Sequence, residues 1–150
     1  MSQSLAKILI HLIYSTKQRT PWLSADLRPV LFAYQAGIFK QWQSPALVIG
    51  GVADHVHALF TLSKTQSLSR VIEEVKKGSS KWMKTRGAEF QDFHWQNGYG
   101  AFSVSPSNSG QVRYYIENQE NHHRTKSFQE EFREFLRRHG IEYDERYVWD

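Results

Sequence analysis

Short, densely apolar runs alternate along this chain with longer stretches in which apolar residues return every three or four positions. Residues 5–15 are of the first kind. They are rich in Ile and Leu at odd and even positions alike, which predicts a strand buried on both faces. Thr16-Lys17-Gln18-Arg19-Thr20-Pro21 interrupts it as a basic loop stopped by proline. Ser24 or Asp26 can then cap a helix running from about residue 27 to residue 42. Pro29 is acceptable there only because it falls in the first turn. Leu27, Leu31, Tyr34 and Ile38 share one face of that helix.

Pro45 opens a second strand over 46–50, and Gly50-Gly51-Val52-Ala53-Asp54 turns the chain into a third over 55–62. So short a connection predicts an antiparallel hairpin. Ser67 caps the next helix, whose buried stripe is read as Leu68, Val71, Ile72, Val75 and Trp82. Lys77, Lys81 and Lys84 fall on its exposed face, and Gly78-Ser79-Ser80 marks a weak point suited to close packing. A short last strand is expected around or after Asn97-Gly98-Tyr99-Gly100. A helix is expected over 110–123, and another after the capping box Ser127-Phe128-Gln129-Glu130, with Phe128, Phe132 and Phe135 inward and Gly140 at its end. The order is that of an α+β, ferredoxin-like β-α-β-β-α-β antiparallel sheet with two helices on one face and extra C-terminal helices. With no linker and no internal repeat beyond that split symmetry, residues 1–150 read as one domain.

Composition narrows the class. A chain of 150 residues that is 40% hydrophobic is large enough for a real core. A formal charge of +4 permits nucleic-acid binding without requiring it. With no cysteine, disulfides and thiolate metal sites are excluded. The apolar run at 8–13 is broken by His11 and too short to span a bilayer, and nothing resembling a signal peptide precedes it. The expected location is therefore the cytoplasm, in association with the nucleoid, with no membrane partner.

The chemistry gathers around Asp54-His55-Val56-His57. Alternation along a strand points His55 and His57 to the same face, which is half of a metal site. On the helix after Ser109, Tyr115 and Gln119 are four residues apart and share a face, with His122 one turn further on. Two imidazoles and an amide oxygen suit a divalent metal, Mg²⁺ or Mn²⁺, if phosphate and water complete the shell. A tyrosine held beside such an ion can attack a phosphodiester, provided the ion offsets the poor nucleophilicity of a phenol whose pKa is ordinarily near ~10.

His55-Val56-His57 matches the His-hydrophobic-His signature of the HUH nucleases. Together with Tyr115-Ile116-Glu117-Asn118-Gln119 it resembles the single-tyrosine (Y1) transposases of the IS200/IS605 type, including the REP-associated tyrosine transposases. Ser15-Thr16-Lys17-Gln18-Arg19, Lys76-Lys77-Gly78-Ser79-Ser80-Lys81-Trp82 and the segment from Trp95 to Phe102 extend the resemblance over nearly the whole chain. The resemblance implies Tyr115 as nucleophile and His55, His57 and Gln119 as metal ligands. It implies single-stranded DNA with hairpin ends as substrate, a 5′-phosphotyrosine intermediate with a free 3′-OH, and a homodimer in which the tyrosine helix can serve the partner's histidines. No nucleotide cofactor is implied, because the covalent link conserves the energy of the broken bond.

Other readings stand beside this one. Tyr114 competes with Tyr115 but lacks Gln119 at the fourth position on. His122 and His123 read as DNA-facing or solvated, and His11 as a core or sheet histidine. Lys17, Arg19, Lys77, Lys81, Lys84, Arg113 and His122 are candidate DNA contacts, with a plain solvated face as the alternative for the lysines. A non-catalytic, RNA-recognition-like module would use the same sheet to stack bases. A metal phosphodiesterase acting through water would leave no covalent adduct.

Overall fold

A computed structural model describes residues 2–150. Four strands, β1 (Leu9–Ser15), β2 (Ala46–Gly51), β3 (His55–Thr61) and β4 (Gly100–Val104), form one sheet in the order β2-β3-β1-β4. Every neighbouring pair is antiparallel. The helices are α1 (Leu27–Gln41), α2 (Leu68–Lys84), α3 (Ser109–Glu117), α4 (Gln119–His122) and α5 (Phe128–Arg138). The α+β, ferredoxin-like order expected from the sequence is the observed one, and the helices after β4 are the C-terminal addition.

The two faces of the sheet do different work. Ile10, Leu12 and Tyr14 of β1 and Val56, Ala58 and Phe60 of β3 point to one side, where α1 and α2 bury Leu31, Phe39, Val71, Ile72, Val75 and Met83 against them. On the opposite side, Ile116 of α3 packs on Leu9 and Leu59, while Phe128, Phe132 and Leu136 of α5 pack on Ile13 and Phe102. His11, His55 and His57 lie on this second side, by the register that sets His57 opposite Ile13 and Leu59 opposite His11. The base-stacking face of an RNA-recognition module is thus covered here by α3 and α5.

Several local expectations are corrected. The first strand starts at Leu9 rather than residue 5: its ladders with β3 and β4 begin at the Leu9–Thr61 and Leu9–Val104 pairs, with one further bond from Leu62 N to Ile8 O at 2.8 Å. The buried face of α1 is Leu31, Gln35 and Phe39, and Tyr34 is largely exposed, stacked on Trp82. A glutamine takes the core position because its amide donates to the hydroxyl of Tyr14 at 2.7 Å. The buried stripe of α2 ends in Ser79 and Met83 instead of Trp82, which is partly buried. Ser79 accepts from the indole of Trp95 at 3.0 Å, and Gly78 admits Ile38 of α1, so the weak point of α2 is indeed a place of close packing. The expected single helix over 110–123 is broken at Asn118, whose backbone leaves the helical region (φ −107, ψ 26) and separates α3 from α4. Ser67 and Ser127 cap α2 and α5 as expected, accepting from Arg70 N and Glu130 N at 3.2 Å each. Among the described residues no helix is long and apolar enough to cross a membrane.

Candidate active site

The site is built on the central strands. His55 and His57 are fully enclosed, side by side on β3 with ring centroids 5.3 Å apart. Each ring is gripped at Nδ1. That of His55 donates to the carboxylate of Asp54 at 2.7 Å, and that of His57 meets Nε2 of His11 at 2.8 Å. These outer contacts orient the rings so that both Nε2 atoms point away from the strand. His11 is therefore a sheet histidine with a task, which its place in an apolar strand did not disclose.

Tyr115 reaches the same place from α3. Its ring lies 5.8 Å from that of His57, and its hydroxyl meets Nε2 of His122 at 3.0 Å and donates to Glu131. Tyr114 is 69% exposed and points away. α3 can lie this close because Gly50 of β2 has no side chain: a Cβ there would stand 2.5 Å from the carbonyl oxygen of Ile116. Gln119 is buried despite the helix break, donating to Tyr115 O at 3.2 Å with its own oxygen 3.4 Å from His55 Nε2.

The residue that sequence reasoning missed is Glu131. It lies one turn into α5, 1% exposed, and its carboxylate stands at the centre of the cluster. Oε1 is 2.8 Å from His57 Nε2 and 3.4 Å from His55 Nε2. Oε2 is 3.2 Å from His122 Nε2 and 3.1 Å from His123 Nε2. His123, expected to face DNA or solvent, is turned inward, its Nδ1 donating to Lys126 O at 2.6 Å. The one sequence signal was a charged residue inside the apolar stripe Phe128, Phe132, Leu136 of α5.

Burial and these contacts shift several of the ionisable groups. Burial pushes His57 down to about 4 and His11 well below the ordinary imidazole value. Burial works the same way on His55, but the hydrogen bonds it donates to Asp54 and Glu131 outweigh it and raise that ring. Burial and the charge of Glu131 push the Tyr115 phenol up. Glu131, which burial alone would raise, is held well below the usual carboxylate range by the surrounding histidines. Donor atoms of His55, His57, His123 and Glu131 lie within 4.8 Å of one another. This convergence of imidazole and carboxylate donors fits a divalent cation.

The remaining candidates are dispersed. Lys77 and Lys81 are exposed on α2, on the far side of the sheet from Tyr115, with Lys77 3.6 Å from Glu74. Lys84 is half-buried and donates to Phe93 O at 2.7 Å, so the exposed position expected for it is instead a cap on the following loop. Arg113 pairs with Glu117 at 3.2 Å, and Arg19 lies over the Trp149 ring at 5.9 Å. Lys17 is exposed and, with Lys81, makes no ion pair among the described residues. Trp95 is core, whereas Tyr99 is 38% exposed. The aromatic tail packs on the molecule, with Val148 and Trp149 against the Phe128 and Phe132 cluster.

A ferredoxin-like sheet that presents two histidines to a tyrosine on a following helix defines the single-tyrosine HUH class. The family model described as "Transposase IS200 like" matches residues 4–119, and the chain belongs to that family. Among solved structures, a provisionally named transposase of Deinococcus radiodurans is 23% identical, with a TM-score of 0.62 over 79% of this chain and 98% of that one. A REP-associated tyrosine transposase bound to a REP hairpin is 14% identical, with a TM-score of 0.52 over 77% and 68% of the two chains. These likenesses bear on the fold. No curated protein sequence matches the chain.

Proposed function

We propose that this protein is a DNA strand transferase that cuts and rejoins single-stranded DNA through Tyr115. The observation that carries the reading is Tyr115 beside the enclosed His55–His57 pair within one chain, its ring 5.8 Å from that of His57 and its hydroxyl on the Glu131 carboxylate that also meets His57. The phenol is held neutral by burial and by the adjacent carboxylate, so its proton leaves as the oxygen attacks. Nε2 of His122, 3.0 Å away, and Glu131 are the available acceptors. Tyr115 Oη bonds to phosphorus, the bond from phosphorus to the 3′ oxygen breaks, and that oxygen leaves as a 3′-OH after taking up a proton. The product is a 5′-phosphotyrosine, and a second 3′-OH reverses the step and joins strands without ATP.

His55, His57 and Gln119 are the residues proposed to hold a divalent metal, Mg²⁺ or Mn²⁺. When bound it neutralises charge on the reacting phosphate and supports the leaving oxygen. A fold neighbour holds a REP hairpin, which supports hairpin-containing ends as the substrate here. Lys17, Lys77 and Lys81 are the cations available for the DNA backbone; Arg19, Lys84 and Arg113 would first have to give up their present contacts, and His122 would meet DNA only at the reacting phosphate. Excision needs two cuts and each chain carries one tyrosine at its site, so a homodimer is the proposed working form. A complete site within one chain favours assembly in cis. Action on chromosomal DNA agrees with a cytoplasmic, nucleoid-associated location.

The test is incubation with hairpin-bearing single-stranded DNA and Mn²⁺ or Mg²⁺. The wild type should form a covalent protein–DNA adduct, and Tyr115→Phe should bind the DNA without forming one. An adduct that persists in Tyr115→Phe sinks the assignment, and cleavage with no adduct points to a water-using phosphodiesterase.

A further inference from the structure

We infer that His123 and Glu131, in place of Gln119, complete the ligand set begun by His55 and His57 into a three-imidazole, one-carboxylate centre that takes a zinc-class ion in preference to Mg²⁺, with the reacting phosphate entering as a fifth ligand. The inference deepens the metal-dependent reading of the same site and rests on it. Nothing in the His-hydrophobic-His and Tyr-x-x-x-Gln motifs specifies these two residues.

Two tautomers are fixed by their surroundings. Nδ1 of His55 faces a carboxylate and Nδ1 of His123 faces a backbone carbonyl, so both must be N–H donors. In their neutral forms both rings then carry bare lone pairs at Nε2. Those two atoms are 3.0 Å apart and point at one another. The Glu131 oxygens, also acceptors, stand at 3.4 and 3.1 Å from them. His57 adds its Nε2 at 2.8 Å from Glu131, with Nδ1 held by His11. Acceptors that face acceptors in a buried place need a proton or a metal ion between them, and one ion answers all of these contacts at once. Among the described residues no lysine or arginine pairs with Glu131, so no side chain of fixed positive charge fills that need.

The donors are near coordination distance of a common ion. Tetrahedral ligands bonded at about 2.0–2.2 Å stand roughly 3.3–3.6 Å apart; the contacts among His55, His57, His123 and Glu131 run from 2.8 to 3.4 Å, and all four donor atoms lie within 4.8 Å of one another. The second shell is in place for each imidazole: Asp54 for His55, His11 for His57 and the Lys126 carbonyl for His123. Magnesium prefers six oxygens and keeps several waters, whereas three imidazoles and a carboxylate in an enclosed pocket suit zinc and cobalt. Local sequence delivers the two added ligands together. Ser127 caps α5, which turns its first-turn Glu131 onto the sheet, and the short α4–α5 connection brings His123 alongside.

Metal binding tests this directly, on the full chain. Cobalt(II) titration should give the intense visible absorption of a tetrahedral centre, displaced by Zn²⁺ and not by a large excess of Mg²⁺. X-ray absorption at the zinc edge of the wild type should count three imidazoles. Glu131→Gln and His123→Ala should each weaken Co²⁺ binding by at least ~10-fold, with thermal unfolding confirming that both variants fold. Two imidazoles at the zinc edge, or wild-type affinity in both variants with loss confined to Gln119→Ala, overturns the four-ligand centre and leaves the adduct chemistry of Tyr115 standing. No metal binding by the wild type, together with no adduct, overturns both.

Discussion

Replacing Gly50 with alanine isolates the packing that delivers the tyrosine. A Cβ at this position would stand 2.5 Å from the carbonyl oxygen of Ile116 and 3.0 Å from its Cγ2. Ordinary contact begins at 3.4 Å, so α3 has to retreat by about 0.9 Å. The obstacle is backbone and cannot rotate away. Ile116 is 1% exposed, packed on Leu9 and Leu59, and loses part of that contact as α3 lifts. Overpacking of this kind costs about 1–3 kcal/mol. At this chain length each kcal/mol lowers Tm by roughly 2–4 °C. Tyr115 is the residue next to Ile116, so its hydroxyl moves by a similar distance against His57. A misplacement near 1 Å costs on the order of 10²-fold in rate. Single-turnover adduct formation and thermal unfolding, measured side by side, read both effects. Gly50→Ala with wild-type rate and wild-type Tm would refute the claim that close approach of α3 to β2 sets the position of the nucleophile.

Other outcomes follow from the same geometry. Gly37→Ala, in the middle of α1 with nothing within 4 Å of the added methyl, should stabilise the fold by about 0.5–1 kcal/mol and leave adduct rates unchanged, read by denaturant unfolding. Tyr14→Phe strands the buried Gln35 amide, whose Oε1 already lacks a partner, and should cost roughly 1–3 kcal/mol; adding Gln35→Leu should recover much of it in a double-mutant cycle. In the metal-free protein, stability should fall as pH drops from about 6.5 toward 4. Across that window unfolded His57 and His11 take up protons that the folded rings, with lowered pKa values, refuse, so the unfolded state binds more protons. His55 is raised, so its contribution is complete below 6.5 and does not oppose the trend. Tm against pH measures this, and a flat profile across that range would contradict the burial argument.

What the chain discloses and what it hides have physical reasons. The order of elements, the hairpin, the Ser67 and Ser127 caps and the His55, His57 and Tyr115 trio are legible because they rest on periodicity and on residue types with a narrow range of uses, whereas the cap expected for α1 at Ser24 or Asp26 makes no side-chain hydrogen bond at Asp26. On α1 the buried face keeps Leu31 but continues through Gln35 and Phe39, because burial of the polar Gln35 depends on Tyr14, which is distant in sequence. The break at Asn118 was invisible because residues 110–123 keep helical composition throughout. Glu131 was hidden by its surroundings: a glutamate in the first turn of a capped helix normally faces water and favours the helix dipole. Only the docking of α5 on the histidine face of the sheet turns it into the centre of the site. His11 was hidden in the same way, since its partner is set by the pairing of β1 with β3.

The most direct test of the account is to find which atom carries the DNA. Wild-type protein treated with hairpin single-stranded DNA and metal, then digested and sequenced by mass spectrometry, should yield one nucleotide-bearing peptide with the phosphate on Tyr115. A phosphate on Tyr114, or cut DNA with no modified peptide, would contradict it.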